Sequence, residues 1–378
     1  MNCVIINRNY PPQSGITGSS ANELAGYLIS RNIEVNIVHV SGYYSGGGKL
    51  GFKKYGNSFS IKTFYNGKNK FLRLIASLVE GRKLLKKAIF LKPDIIISMT
   101  DPPLLNYWTS YYSEKHHIPW FYWSMDLYPE AFVSAGLLNK TSFIYKKLIN
   151  KLKLRPPKLI ISLGKMQSIF IKKMYGKKID SVILPCGISS TQKNKTDFNI
   201  DLDDKIIFCY AGNLGEAHDE NFVKEVIKNI DPTKHIFILS VYGSKANSLL
   251  GFAKSVKGIK IVKNIKREHM HLVDIHIVSL KSNWDHVCVP SKAISAITEG
   301  SAVLFDCSKE NDNWVLLEKS AWRIDKTNLK SDLRKFMRNI SKFEVEQKRK
   351  QGEKISKELL KLKEDSFNFI YKKIYEIK

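Results

Sequence analysis

A chain of 378 residues is longer than one hydrophobic core usually serves, and 43% hydrophobic content excludes a largely disordered protein. Its 61 Lys and Arg against 35 Asp and Glu give a formal charge of +26, which suits an anionic partner such as a bilayer surface or a nucleic acid. The five cysteines show no Cys-x-x-Cys spacing, so they read as small buried residues of a reducing cytoplasm, not as a metal site or disulfide framework.

In chain order, apolar runs at Cys3–Asn7, Glu34–Val40, Phe59–Phe64, Asp94–Met99, Pro119–Trp123, Leu159–Leu163 and Val182–Leu184 predict strands, with helical patterns between most of them. Further strands are predicted at Ile206–Ala211, His235–Tyr242, Ile259–Val262, Ile275–Leu280, Ala302–Phe305 and Ala321–Ile324. Leu329–Ile340, Phe343–Leu362 and Asp365–Ile377 then read as three helices. This alternation predicts two α/β domains with mostly parallel sheets. The first spans 1–185, a polar linker 186–204, and the second 205–363. A last helix at 364–378 has an apolar face of Phe367, Ile370, Tyr371 and Ile374. The N-terminus reads as a strand instead of a signal peptide, and no run of about 18 apolar residues predicts a transmembrane helix.

The positive charge is uneven. Residues 1–185 hold 27 Lys and Arg against 9 Asp and Glu, and no acid lies between Glu130 and Asp180. Two basic amphipathic patterns fall in this half. Phe71–Ile89 mixes Phe71, Leu74, Ile75, Leu78 and Leu85 with Arg73, Arg82, Lys83, Lys86 and Lys87. Phe143–Leu154 mixes Ile144, Leu148 and Leu152 with Lys146, Lys147, Lys151 and Lys153. Such helices suit an anionic bilayer surface, so peripheral attachment to the inner face of the cell membrane is expected.

Two strand ends carry candidate anion sites. Pro290-Ser291-Lys292 has the chemistry of a helix start between two apolar runs, and Gly300 stands where that helix would stop. Gly212-Asn213-Leu214-Gly215 follows a strand and precedes a helical pattern near Asp219, where backbone N–H groups and a helix dipole suit a phosphate. Gly46-Gly47-Gly48-Lys49 fails as a P-loop because Leu50 follows, and reads as a loop. Asp201-Leu202-Asp203 precedes a strand and reads as a solvated turn. His218, His269, His271 and His276 lack metal-ligand spacing, so no metal is expected.

These motifs resemble family 4 glycosyltransferases, in particular bacterial enzymes of O-antigen, capsule and exopolysaccharide synthesis. The Gly212–Gly215 turn, the Pro290–Lys292 start and the glycine-containing loop Pro11–Gly18 after the first strand match that family in order. So does Trp123-Ser124-Met125-Asp126-Leu127-Tyr128-Pro129-Glu130. The resemblance implies a GT-B fold, two Rossmann-like domains facing a central cleft, with the last helix, 364–378, crossing back onto the first domain. It also implies transfer from a nucleotide-sugar donor with retention of configuration, and neither a cofactor nor an obligatory metal. A UDP-sugar is the first expectation for the donor, and a lipid-linked saccharide for the acceptor. Donor binding is then expected at Gly15, Gly18, Gly212, Asn213, Leu214, Gly215, Gly243, Lys281, Pro290, Ser291, Lys292 and Ser295. Asp126 and Glu130 are the candidate catalytic carboxylates, with Asp101 read first as a turn residue. Two family glutamates are replaced by Val287 and Ser295, and no basic residue follows the Gly–Asn turn, where Glu216-Ala217-His218-Asp219 stands. Lys281 and Lys292 are therefore the expected partners of a diphosphate. A nucleic-acid binder lacks a recognisable motif here, and an epimerase lacks its glycine fingerprint and Tyr-x-x-x-Lys pair.

Overall fold

The computed structural model describes residues 1–12, 15–41, 53–63, 65, 70–176, 178–188, 205–263, 265 and 267–377. The Gly46–Lys49 run, Asp201–Asp203 and most of the expected linker lie outside them. The chain divides into two compact units, Met1–Cys186 with Lys363–Lys378, and Gly187–Leu362.

Unit 1 contains β1 (Asn2–Ile6), α1 (Ile16–Ile29), β2 (Glu34–Ser41), β3 (Asn57–Lys62), α2 (Lys70–Phe90), β4 (Ile95–Ser98) and α3 (Leu105–His116). It continues with β5 (Trp120–Trp123), α4 (Glu130–Ser134), α5 (Phe143–Leu152), β6 (Leu159–Ser162), α6 (Lys165–Tyr175) and β7 (Asp180–Ile183). Its sheet has the order β3-β2-β1-β4-β5-β6-β7, and every pairing is parallel. β4, β5 and β6 are buried at every residue, which is why they read as unbroken apolar runs in place of alternating ones.

Unit 2 contains β8 (Ile206–Asn213), α7 (Glu220–Lys228), β9 (His235–Tyr242), α8 (Ala246–Ala253), β10 (Ile259–Ile261) and β11 (Ile275–Ser279). There follow α9 (Ser291–Thr298), β12 (Ala302–Asp306), α10 (Asp312–Leu317), β13 (Ala321–Ile324) and α11 (Leu329–Asn339). Its sheet is also parallel throughout, in the order β10-β9-β8-β11-β12-β13. In both sheets the strand order reverses around the first strand, β1 or β8. Open α/β sheets bind ligands outside the carboxyl ends of strands at such a switch point.

The C-terminal region differs from expectation. Phe343–Leu362 and Asp365–Ile377 are not two helices but one, α12 (Lys342–Tyr375). Lys363 and Glu364 favour helix, and nothing between the two patterns breaks it. In unit 2, Arg349 of α12 donates to the Gly300 carbonyl at 2.8 Å, to Asp274 Oδ1 at 2.9 Å and to the His271 carbonyl at 3.0 Å. In unit 1, Phe367, Ile370 and Ile374 are buried, and Ser366 donates to the Ile183 carbonyl at 2.8 Å. Lys363 pairs with Glu23, and Lys373 with Asp180, each at 2.8 Å.

Burial also separates the two basic amphipathic patterns. In α2, Leu84, Leu85 and Ala88 are core residues, whereas Leu72 and Ile75 are exposed. In α5 only Leu152 is buried, while Phe143 is 76% and Ile144 62% exposed. The side chains of Phe71 and Arg73 are outside the description.

Ile370 has no exposed surface, so Ile370→Ala should destabilise unit 1 by about 2–5 kcal/mol through lost transfer energy and a residual cavity. Urea unfolding of the full chain measures it. A loss below about 1 kcal/mol would mean that the end of α12 is only loosely held.

Candidate functional site

At the carboxyl edge of the unit 2 sheet, β8 runs two residues further than the sequence suggests. Gly212 and Asn213 pair with Val241 and Tyr242 of β9, and the Leu214 N–H donates to the Tyr242 carbonyl at 2.7 Å. Leu214 is fully buried. The Gly212–Gly215 stretch is thus a strand end and a sheet tie, not a loop with all its N–H groups free for a phosphate. Asp219 caps α7 by accepting from the Asn221 N–H at 3.0 Å, and Glu220 opens the helix. Acids there already complement the positive end of the dipole.

The positive charge comes from side chains instead. α9 begins after Pro290 without a side-chain cap or an acid in its first turn. From its second residue, Lys292 reaches back to β8, donating to the Asn213 carbonyl at 2.6 Å and the Tyr210 hydroxyl at 3.0 Å. Its ammonium lies 4.4 Å from the Tyr210 ring centroid. Gly212, with φ +108°, makes room: a Cβ there would meet Lys292 Cε at 3.1 Å. Gly243, with φ +112°, has the Asn213 side chain packed directly against it and leaves no space for a Cβ. Burial pushes Lys292 down to about 7. Burial, with Lys292 next in importance, pushes His218 and His276 down to about 3, so both imidazoles are neutral. The His218 Nδ1 contact with the Ser279 carbonyl, at 2.8 Å, requires the proton on Nδ1.

Other expected donor residues have mixed placements. Lys281 is partly buried after β11, its N–H tied to the Ala217 carbonyl at 2.9 Å. Pro290 accepts from Asn313 Nδ2 at 2.7 Å, and Ser291 lies beside it, partly buried. Ser295 donates to the Gly187 carbonyl at 3.1 Å, so its hydroxyl proton braces the chain entering unit 2. Lys245, which follows Gly243 and Ser244 at the end of β9, was missed. The strand-end rule that selected Gly243 would have reached it two residues later.

In unit 1, Gly15 precedes α1, and Gln13 and Ser14 are outside the described residues. Gly18 lies within α1 against the Asn9 carbonyl, 2.9 Å from where its Cβ would be. Its lack of a side chain serves close packing of the β1–α1 loop. Asp126 follows β5 and is partly buried, its N–H donating to Thr100 Oγ1 at 3.2 Å. Asp101 follows β4, lies 3.6 Å from Arg8 and accepts from Asn9 Nδ2 at 3.4 Å. Burial pushes Asp101 up to about 6, with Arg8 opposing and Asp126 adding to the rise. Asp101 is thus an electrostatic neighbour of Asp126, not merely a turn residue. Glu130 is placed differently from Asp126. It is 2% exposed as the first residue of α4 and accepts from the Tyr145 hydroxyl at 3.1 Å. Burial pushes it up, a position inside the unit and not on its rim.

No group of three His, Cys, Asp or Glu residues able to hold a metal occurs among the described residues. Cavities of about 480 and 960 Å³ lie near Pro119, Lys158 and Asp180, and along β13 and α11, away from both strand-end sites.

No protein-family model matches the chain, and no curated protein matches it. Solved structures do. Sucrose-phosphate synthase from Thermosynechococcus elongatus superposes with a TM-score of 0.74 at 10% identity, covering 100% of both chains. WaaG, a glycosyltransferase of lipopolysaccharide biosynthesis, gives 0.66 at 14% identity over 97% of this chain and 99% of its own. A glycosyltransferase from Rickettsia africae gives 0.63 at 14% identity over 99% and 98%. The chain has the GT-B glycosyltransferase fold. Within that fold, Lys245, Lys281 and Lys292 stand at the carboxyl edge of the unit 2 sheet.

Lys292→Ala should weaken nucleoside-diphosphate binding by a few kcal/mol, as for loss of a charged hydrogen bond. A bound anion raises the Lys292 pKa above its free value of about 7. Above about pH 7 affinity should therefore fall by up to about tenfold per unit, as the free amine must gain a proton to bind. Calorimetric titration across pH measures both effects, and a flat profile in the unmodified protein would contradict the second.

Proposed function

We propose that the chain is a glycosyltransferase that moves a sugar from a nucleotide-sugar donor, a UDP-sugar first among them, to a lipid-linked saccharide acceptor. The setting proposed is bacterial surface polysaccharide synthesis. The observation that carries this reading is Lys292, held between the start of α9 and the end of β8 at the switch point of the unit 2 sheet. Departure of the nucleoside diphosphate builds negative charge, which a pre-placed ammonium stabilises without reorganisation at the moment of reaction. The Ser291 hydroxyl and the first N–H groups of α9 suit the same anion, since no acid occupies that helix turn. Lysines doing this work make an obligatory metal unnecessary. Retention of configuration and membership of family 4 are carried by the sequence resemblance.

Asp126 is assigned to the acceptor hydroxyl, as the partly buried carboxylate at the end of β5 beside Asp101. Asp126 shares the field of Asp101, which burial, with Asp126 adding to it, pushes up to about 6. Asp126→Asn should reduce turnover about 100-fold or more with little change in donor affinity. A nucleotide-sugar hydrolysis and transfer screen measures it. Near-normal turnover would move the role to Asp101, and a screen without transfer from any nucleotide sugar would remove the reading.

The acceptor class is supported by α5. Leu137, Phe143 and Ile144 are exposed beside Lys146, Lys147 and Lys153 in the span that lacks any acid. Among the described residues no helix is long and apolar enough to cross a membrane, so the proposed attachment is peripheral. Exposed apolar groups enter the headgroup boundary while lysines meet anionic lipid, at about 1 kcal/mol per charge near the surface. Lys146, Lys147, Lys151 and Lys153 changed together to Glu should abolish sedimentation with anionic vesicles and leave activity on a soluble acceptor analogue. Equal binding of the unmodified protein to neutral and anionic vesicles, or to neither, would overturn the attachment.

A further inference from the structure

The loop between β11 and α9 delivers Pro290, Ser291 and Lys292 to the edge of the unit 2 sheet, and its backbone is strained. His286 has φ +65°, in the left-handed region that a residue with a Cβ rarely adopts. Such a conformation persists only where surrounding contacts over-determine it, and it tends to mark a functional segment. Those contacts come from the start of α10, where three consecutive buried residues each reach a different point of the loop. Asn311 Nδ2 donates to Asp285 Oδ1 at 3.0 Å. Asp312 Oδ2 lies 3.3 Å from His286 Nδ1. Asn313 Nδ2 donates to the Pro290 carbonyl at 2.7 Å. Asn311 is itself fixed as the cap of α10, accepting from the Asn313 N–H at 3.0 Å. The near end of the loop is held from β13, by Lys326 donating to the Leu280 carbonyl at 2.6 Å.

We propose that Asn311, Asp312 and Asn313 are positioning residues for the donor site. They hold the strained loop 285–290 in the conformation that presents Ser291 and Lys292 to the donor's diphosphate, and the His286–Asp312 pair makes that hold respond to pH. The inference rests on the donor-site reading and adds the regulation of that site, through residues that act by way of the loop.

α9 has no side-chain cap, so the direction in which it sets out depends on how Pro290 is held. The Asn313 contact is the shorter of two to the Pro290 carbonyl, the other being the Ala293 N–H at 3.3 Å. Lys292, two residues on, reaches the Asn213 carbonyl and the Tyr210 hydroxyl only from that setting. Around His286 stand Asp312 of α10, Glu310 just before it and Asp285 of the loop itself. The hydrogen bond to Asp312 raises His286 above its ordinary value of 6.5, burial opposes, and the three carboxylates add to the rise. A raised value means that the ionic part of this contact is complete below 6.5 and is lost as pH climbs through the raised value. On the alkaline side the strained residue loses part of what holds it, and the loop populates other conformations.

The test is calorimetry on the full chain with UDP, GDP, ADP, CDP and dTDP from about pH 6 to about pH 9, with thermal unfolding alongside. Asn313→Ala removes the donor to Pro290. His286→Asn removes the titrating ring and keeps a residue that tolerates the left-handed region. Asp312→Asn keeps the shape without the charge, and carries the test should Asn313→Ala fail to fold. Asn313→Ala should bind the preferred diphosphate about tenfold or more weakly. His286→Asn and Asp312→Asn should each lose about threefold or more at about pH 6 and approach the unmodified protein at about pH 9. The double variant should lose no more than either single one, since a single contact is being removed. Lys292 also gives up its proton on the alkaline side, but that component persists in His286→Asn and so separates from this one. Variants that unfold at lower temperature yet bind with unmodified affinity would show a brace for the fold alone and overturn the positioning role. A pH profile unchanged by His286→Asn, or additive losses in the double variant, likewise overturns the proposal. These outcomes leave the donor-site reading standing, whereas unmodified protein that binds none of the diphosphates overturns both.

Discussion

Every strand in both sheets runs parallel to its neighbours, so each connection must return across a face and each strand must finish at the same edge. That constraint gathers residues remote in sequence into one row without any contact specific to function. Lys245, Lys281 and the Gly212–Gly215 stretch share an edge because β8, β9 and β11 are adjacent. Asp101 and Asp126 share one because β4 and β5 are adjacent. The burial of β4, β5, β6, β11 and β12 on both faces keeps that row in place.

Much of this was legible in the residues. Fully buried parallel strands are unbroken apolar runs, which is why Ile95–Ser98 and Leu159–Ser162 stand out and their ends can be found within a residue or two. The Pro290–Lys292 start is legible for a different reason: Pro fixes a dihedral suited to the first turn, and Lys292 follows at once. The end of β8 was harder to see, because glycine usually signals a turn. Here Gly212 stays in the ladder and its missing side chain serves Lys292, a long-range cause that no local pattern encodes. The unbroken α12 was likewise hidden from periodicity, since the polar run Lys363-Glu364-Asp365 interrupts an apolar face that continues through Leu359, Phe367 and Ile370.

Charge placement was the least legible property. The sequence offers Asp126 and Glu130 as the catalytic carboxylates and Asp101 first as a turn residue. Burial then separates them, enclosing Glu130 beside Tyr145, raising Asp101 against Arg8 and leaving Asp126 partly exposed. The two basic amphipathic patterns diverge in the same way. α2 buries Leu84 and Leu85 in the core and Glu80 against Arg8, whereas α5 leaves Phe143 and Ile144 in water. Composition sets how much charge is present, and packing decides which of it is available.

The path of α12 bears on how the protein emerges from the ribosome. Residues Gly187–Leu362 form a contiguous unit, so unit 2 can close as soon as its own stretch has been made. Unit 1 begins earlier but takes in Lys363–Lys378, including the fully buried Ile370 and Ile374. Until those residues arrive, the surface they cover near Tyr27 and Ile183 stays open. The half of the chain translated first is therefore the half completed last. Apolar surface left open during synthesis is a hazard for aggregation, and in this chain it lies in the unit that carries most of the excess positive charge.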